Sequence, residues 1–177
     1  SDEGGRAIAD VIFGDYNPNG KLPFTYPRPP HNYLTYDHKL FEVEETAFGN
    51  VATSPQFAFG HGLSYTTFEY SDLKLDKQNV TRAGEVNVSF TVKNTGKRSG
   101  KETAILYLRD EVATLAPPGK RVKRFAKITL EPGQSKTLSF KLTAADFSFI
   151  GANNKPTIES GDFTVLVGSL KETFTLK

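Results

Sequence analysis

Three histidines are the first residues to consider, because imidazole nitrogens ligate metal ions and transfer protons. They are His31, His38 and His61. A zinc site draws its ligands from short, recurrent spacings, and these histidines lie at neither helical nor hairpin spacing from one another. His61 stands between Gly60 and Gly62, a setting typical of a tight turn in which the imidazole makes a hydrogen bond. We therefore expect a structural histidine, no metal site and no cofactor.

Paired carboxylates are the second candidates. Hydrolysis of a glycosidic bond needs two carboxyl groups, one as nucleophile or base and one as acid. Glu42, Glu44 and Glu45 cluster in one stretch, and Asp10 and Asp15 flank a predicted helix end. Neither setting predicts a shifted pKa, so a solvated loop surface is the favoured interpretation. The sequence predicts no catalytic residue within this chain.

A basic run is the third candidate, and its members are Lys120, Arg121, Lys123, Arg124 and Lys127. A strand that binds phosphate groups is conceivable, but charges on an edge strand also prevent edge-to-edge pairing, and this second interpretation is favoured. The whole chain has 22 basic and 20 acidic residues, a net charge of +2. That balance argues against a nucleic-acid partner.

The aromatic residues of the segment 33–59 are the last candidates. They are Tyr33, Tyr36, Phe41, Phe48, Phe57 and Phe59. Their rings could stack on sugar rings, because long loops often carry binding surfaces. They could instead hold the loop against the rest of the protein, which is the favoured alternative.

Composition bounds the class of protein. The chain has 177 residues, of which 37% are hydrophobic and 24% charged, as expected for a soluble globular protein. It has no cysteine, which excludes disulfides and thiolate metal sites. No apolar run approaches the roughly 20 residues needed to cross a bilayer, so no membrane insertion is expected.

Residues 1–30 have the pattern of the end of an α/β unit. Apolar positions recur at helical spacing; they are Ala7, Ile8, Val11 and Ile12. Gly14 is expected to end this helix, turn-forming residues fill 15–20, and 21–26 is predicted to be a short strand. One helix and one strand cannot bury their own apolar faces. We therefore expect them to be the remnant of a domain whose other part lies upstream.

Residues 31–67 show no sustained period but are rich in aromatic residues, whereas disordered segments are poor in them. They are predicted to form an ordered, wrapping linker. From residue 68 to 177 apolar residues alternate with polar ones, as in half-buried strands. About seven such strands with intervening turns predict an immunoglobulin-like, mainly β sandwich. Between Lys120 and Leu130 strict alternation cannot place Val122, Phe125, Ile128 and Leu130 on one face. A bulge near Arg124 or Phe125 would repair the register.

Four motifs together resemble the carboxy-terminal end of glycoside hydrolase family 3, the β-glucosidase and β-xylosidase family. They are GRAIADVIFGDYNPNGKLP at 5–23, FAFGHGLSYT at 57–66, VKNTGKRSGKE at 92–102 and GDFTVLVG at 161–168. Their order and spacing match the family over nearly the whole chain. The first two are specific, whereas the last two occur in many sandwich modules.

The resemblance implies a parent protein with a barrel domain, an α/β sandwich domain and a fibronectin-type-III-like domain. It implies hydrolysis of terminal β-linked sugars with retention, through a glycosyl-enzyme intermediate. Both catalytic carboxylates would lie upstream of Ser1, so the resemblance assigns no catalytic residue here. The implied partner is the rest of the glycosidase, with an oligosaccharide or polysaccharide as substrate and a homodimer left open. The implied location is periplasmic or secreted. A carbohydrate-binding or protein-interaction module is the alternative.

Overall fold

The computed structural model describes residues 3–28, 35–37, 55–115 and 117–177. Its elements in chain order are α1 (Gly4–Phe13), β1 (Tyr26–Pro27), β2 (Pro55–Phe57), β3 (Phe68–Leu75), β4 (Asn79–Val80), β5 (Glu85–Asn94), β6 (Gly100–Asp110), β7 (Arg121–Leu130), β8 (Ser135–Thr143), α2 (Ala144–Phe147), β9 (Phe149–Ile150), β10 (Pro156–Thr157), β11 (Gly161–Val167) and β12 (Leu170–Leu176). No helix in these described ranges is long and apolar enough to span a membrane.

Two sheets form the sandwich. One has the strand order β4-β12-β11-β6-β7 and the other the order β3-β5-β8. Neighbouring strands are antiparallel, except that β4 pairs with β12 in parallel. This confirms the mainly β, immunoglobulin-like fold, with a short α/β region before it. The seven alternating segments all form strands, and the two-residue β4 is an addition that its length hid from sequence analysis.

The core lies between the two sheets and follows from the period of two. In β5, Val86, Val88, Phe90 and Val92 are fully buried while the residues between them face outward. Each such side chain contributes about 1.5–3 kcal/mol when it is fully buried. At one end of the core three phenyl rings contact one another, with centroids 5.5–5.7 Å apart. These rings belong to Phe147, Phe163 and Phe174.

The bulge predicted in β7 is present, but Phe125, contrary to expectation, does not share the buried face of Ile128 and Leu130. Leu106 pairs with Arg124 and Tyr107 with Val122, so Lys123 is the extra residue of a bulge. Because the bulge precedes Phe125, this residue keeps the outward orientation set by the alternating buried positions Ile128 and Leu130. Its side chain is 70% exposed.

Two local predictions need correction. Residues 21–25 are not a strand, because the Leu22 backbone pairs with the turn before the sandwich rather than with a neighbouring strand; the β1 pairing begins only at Tyr26. The helix α2 was not predicted, since its four residues are too few to show a helical period. A capping box between Thr143 and Asp146 defines its start, and Phe147 at its end is buried in the core.

Candidate functional site: the joint between the arm and the sandwich

Three segments meet at one end of the sandwich and form what we call the joint. They are the arm (residues 3–28), the connecting turn (residues 60–66) and the β5–β6 loop (residues 94–100). Each contains or overlaps one of the motifs identified in the sequence. Hydrogen bonds join these segments to one another, so motifs far apart in the chain encode a single contact.

Asn17 connects all three segments. Its Nδ2 donates to the Ser99 carbonyl at 3.0 Å. Its Oδ1 accepts from the Ser64 hydroxyl at 2.9 Å and from the Tyr65 backbone N–H at 2.8 Å. A short amide side chain offers donors and an acceptor at once, which explains why Asn suits this position in the turn after α1.

Arg98 and Tyr65 satisfy the carboxyl-terminal end of α1. The last carbonyls of a helix have no partner inside the helix, and the helix end carries partial negative charge. The Tyr65 hydroxyl donates to the Val11 carbonyl at 2.6 Å, and the Arg98 guanidinium donates to the Gly14 carbonyl at 2.9 Å. The Arg98 guanidinium also lies 5.7 Å from the centre of the Tyr65 ring, within cation–π distance.

Asn94 is a second hub, and it is fully buried. Its Nδ2 donates to the carbonyls of Arg98 and Leu130 at 2.8 and 2.9 Å. Its Oδ1 accepts from the Thr66 hydroxyl at 2.6 Å and from the Gly96 N–H at 3.0 Å. Since a buried amide without partners is strongly unfavourable, these bonds fix the shape of the β5–β6 loop that contacts the arm.

Charged side chains complete the joint. The Lys21 ammonium lies 3.1 Å from Glu102 Oε1, and the Tyr70 hydroxyl donates to the same oxygen at 2.8 Å. Burial and the neighbouring Glu102 carboxylate raise the pKa of Tyr70, so the phenol stays protonated at every physiological pH. Lys127 on β7 donates to Asn19 Oδ1 at 2.8 Å. The arm is thus bound to β6 by an ion pair and to β7 by a hydrogen bond.

Glycines allow the segments to approach closely. A Cβ placed on Gly62 would stand 2.1 Å from the Gly20 carbonyl oxygen of the arm, and one on Gly96 would stand 2.2 Å from Thr66 Oγ1. Atoms cannot approach to these distances, so both positions require glycine for packing. Gly62 of the FGHGLS motif and Gly96 of the NTG motif are therefore explained by contacts across the joint.

The described linker residues pack on the outer face of the five-stranded sheet. The rings of Tyr36 and Phe59 stack with centroids 4.4 Å apart, and Phe59 contacts Tyr107 edge-on at 6.4 Å. The Lys120 ammonium lies over the Tyr107 ring, 4.6 Å from its centroid. For Tyr36 and Phe59 the structure therefore supports rings that hold the linker down. Tyr33, Phe41 and Phe48 lie outside the described residues.

Five of the remaining candidates lie outside the described residues: His31, His38, Glu42, Glu44 and Glu45. The His61 ring stacks on Phe57 at 4.9 Å, while its backbone closes the connecting turn. In the part of the chain that the structure describes, no three His, Cys, Asp or Glu side chains come together as a metal site. The absence of catalytic residues in this chain stays a prediction.

The basic run does not form a single charged surface. Four of its five members lie on β7, which is an edge strand, as the favoured interpretation requires. Arg124 makes a bidentate ion pair with Asp146 at 2.7 and 2.8 Å, and Lys127 bonds to the arm. Burial lowers the pKa values of Lys120 and Lys123. Lys120, Arg124 and Lys127 therefore make local contacts within the protein.

The far side of the arm has a different character. In α1, Ile8, Ile12 and Phe13 are 62%, 67% and 83% exposed, and the helix has no buried residue. Phe24 and Tyr26 are about half exposed as well. Single exposed apolar residues are common, but large ones concentrated on a helix with no buried residue mark an interaction surface. The joint orders the arm and leaves this helix uncovered.

Models of two protein families match separate parts of the chain. Residues 1–65 match the model of the glycosyl hydrolase family 3 C-terminal domain, and residues 102–171 match that of the fibronectin type III-like domain. The fold is therefore a fibronectin-type-III-like module attached to part of a second domain. The chain belongs to glycoside hydrolase family 3 and corresponds to the carboxy-terminal region of its members.

Individual relatives show how much of such a protein the chain represents. It is 42% identical over 176 residues to the periplasmic beta-glucosidase of Salmonella typhimurium, covering 94% of this chain and 23% of the relative. It is 40% identical over 178 residues to a beta-xylosidase of Formosa agariphila, covering 98% of this chain and 24% of the relative. The solved β-glucosidase of Erythrobacter marinus superposes with a TM-score of 0.88 at 34% identity, covering 98% of this chain and 24% of that one. The chain thus spans about a quarter of the length of its relatives.

Proposed function

We propose that this chain is the structural carboxy-terminal part of an exo-acting, retaining β-glycosidase that hydrolyses terminal β-linked sugars. In this proposal residues 1–30 complete the α/β sandwich domain, 31–67 form the wrapping linker and 68–177 form the fibronectin-type-III-like domain. The catalytic carboxylates belong to the remainder of the parent protein. The proposed location is periplasmic or secreted, because the Salmonella relative is named a periplasmic beta-glucosidase.

The observation that carries the proposal is the exposed face of α1, formed by Ile8, Ile12 and Phe13. A ten-residue helix is too short to be stable alone. Among the residues that the structure describes, Arg98 and Tyr65 fix its carboxyl-terminal end. Burying a few hundred Å² of apolar surface contributes several kcal/mol, at about 25 cal/mol per Å². The remainder of the parent protein is the occupant that this helix face requires.

The joint gives this part of the parent its mechanical role. Because Asn17, Arg98 and Lys21 bind the arm to the sandwich, any domain that packs on α1 is held in a set orientation to the β-sandwich. We propose that the sandwich stabilises the parent domain by ordering the arm, and that it takes no part in bond cleavage.

The full-length product of the gene that encodes this chain tests the proposal. We expect it to hydrolyse an aryl β-glucoside or β-xyloside with retention, and the isolated 177-residue chain to show no turnover. Ile12→Asp should lower the thermal stability of the full-length protein by much more than that of the isolated chain, where only the unfavourable charge at the helix end acts. Lys171→Asp, on the exposed surface of the sandwich, is the matched control. Turnover by the isolated chain that is lost with one of its own carboxylates would overturn the proposal.

A second copy of the chain is the competing occupant of the same helix face. Light scattering on the isolated chain at several concentrations distinguishes the two. A dimer that persists in the full-length protein and is disrupted by Ile12→Asp would assign the face to self-association rather than to the parent domain.

A further inference from the structure

A pocket opens at the end of the sandwich opposite the joint. It is enclosed by the end of β6, the loop that follows, the start of β7 and the β9–β10 hairpin, and it measures about 330 Å³. Its lining includes Asp110, Leu115, Pro118, Arg121, Phe149 and Ile150. This volume lies at the low end of the range of roughly 300–1,000 Å³ that is typical of small-molecule sites.

The walls of this distal pocket are apolar and partly exposed. Leu115 and Ile150, both in the lining, are 42% and 57% exposed. The neighbouring hairpin places Ile150 opposite Pro156 and Phe149 opposite Thr157. Apolar side chains gathered around one opening are typical of a ligand or partner surface.

Two opposite charges lie in the same lining. Within the described chain, Asp110 Oδ1 is buried and has no hydrogen-bond partner. Burial raises the pKa of the Asp110 carboxyl, while a hydrogen bond from the Val112 N–H and the nearby Arg121 guanidinium oppose this effect. A buried acceptor without a donor is unfavourable. The second charged group of the lining, the Arg121 guanidinium, offers several N–H donors.

The first part of the loop that lines the pocket, residues 111–114, is held in place by hydrogen bonds. The Thr114 N–H and hydroxyl both donate to the Glu159 carboxylate, at 2.9 and 2.5 Å, and the Glu111 N–H donates to the Asp162 carbonyl at 3.0 Å. The pocket walls on either side of Asp110 are therefore positioned before any ligand enters, which lowers the entropy lost on binding.

We propose that the distal pocket binds one neutral sugar ring, with its hydroxyls between Asp110 and Arg121 and its C–H face against Phe149 and Ile150. A hydroxyl both donates and accepts, so adjacent hydroxyls match a carboxylate and a guanidinium side by side. An extended peptide would instead need a row of backbone partners along an open groove or sheet edge.

The pocket is independent of the proposed docking on α1. Gly100 at one end of β6 lies in the joint and Asp110 is at the other end, so the two sites are roughly 30 Å apart at about 3.3 Å per residue. Sugar binding would give this sandwich a role in substrate capture that does not depend on the catalytic domain. Since the test below measures binding alone, its failure leaves the proposed function untouched.

Amide chemical shifts of the ¹⁵N-labelled chain test this proposal, with glucose, xylose and cyclohexanol as probes. Glucose or xylose should produce saturable shifts at residues 110–121 and 149–151, and cyclohexanol, which lacks adjacent hydroxyls, should not. Asp110→Asn and Arg121→Gln should each weaken binding by about tenfold or more, as expected when a hydrogen bond to a charged group is lost. Glu69→Gln, on the exposed face of β3, is the matched control and should bind as the parent chain does.

Three outcomes would overturn the assignment. One is the absence of saturable shifts at about 0.1 M sugar, where millimolar affinity would give near-complete binding. The second is an equal response to cyclohexanol, which would show an apolar site without polyol recognition. The third is unchanged affinity in both charge variants while their spectra show folded protein.

Discussion

Ser64 and Asn17 are separated by 47 positions in the chain, and the Ser64 hydroxyl donates to Asn17 Oδ1 at 2.9 Å. The same oxygen accepts the next backbone N–H, while the Asn17 amide nitrogen reaches across to Ser99. One side chain thus joins the end of the arm, the connecting turn and the sandwich. Asn17 therefore couples the arm that carries α1 to the sandwich through side-chain hydrogen bonds.

Asn17→Ala should loosen the arm while leaving the sandwich folded. Losing these bonds should lower the free energy of arm opening by about 1–3 kcal/mol, because Ser64 and the Ser99 carbonyl lose their partner. Hydrogen exchange of the α1 amides measures this opening. Gln78→Ala, at an exposed position, is the control and should leave exchange unchanged. Protection in α1 that survives Asn17→Ala would show that other contacts order the arm.

Gly62→Ala should be more disruptive than its size suggests. The added methyl group would stand 2.1 Å from the Gly20 carbonyl, so the arm must move away from the connecting turn. We expect a loss of about 2 kcal/mol or more, in the range of overpacked sites, measured by thermal unfolding and limited proteolysis after α1. Gly5→Ala is the matched control, since a Cβ there meets nothing within 4 Å. It should stabilise α1 by up to about 1 kcal/mol. Equal melting temperatures for both variants would contradict the close approach.

Asp146→Asn should lower stability in a pH-dependent way. Burial alone would raise the pKa of Asp146, but the hydrogen bonds from Arg124 and the Thr143 N–H outweigh it and lower the pKa. A carboxyl with a lowered folded-state pKa stabilises the protein above its unfolded pKa of about 3.9. This contribution is lost as the pH falls through the lower, folded-state value.

Urea unfolding of the parent chain and Asp146→Asn at pH 7 and near pH 2.5 measures this effect. At pH 7 the variant should be less stable by about 1–3 kcal/mol, the range for hydrogen bonds to charged groups. The difference should shrink at the lower pH. Glu172→Gln is the control on the sandwich surface. A difference that is constant with pH would show that the ion pair with Arg124 is not its source.

Asp110→Asn should have the opposite sign. Burial raises the pKa of this carboxyl despite the nearby Arg121, so its ionised form is disfavoured in the folded chain. Stability from such a group is present below the unfolded pKa and is lost as the pH rises through the folded-state value. The variant should therefore be slightly more stable than the parent chain at pH 7, by about 0.5 kcal/mol after solvent screening. The two should converge near pH 3, and a less stable variant at pH 7 would contradict a carboxylate that burial disfavours.

The alternating strands were predictable because strand periodicity is a local property. Val86, Val88, Phe90 and Val92 occupy one face of β5 by geometry alone, and every such segment became a strand. Gly14 is similar: a helix that ends in the left-handed region favours glycine, and Gly14 has φ 85°. The need for a bulge in β7 was also visible, because its apolar residues cannot share one face without it.

Only the tertiary structure decided which distant groups meet. The turn motif around Asn17 was recognisable, but its contact with Ser99, 82 positions away, depends on how the chain returns across the sandwich. Phe125 was expected inside because it is apolar, yet the bulge at Lys123 leaves it facing outward. The distal pocket likewise joins Asp110 to Phe149 through packing. Sequence determines local conformation through side-chain period and backbone preference, whereas hydrogen-bond partners and burial are set by the three-dimensional path of the whole chain.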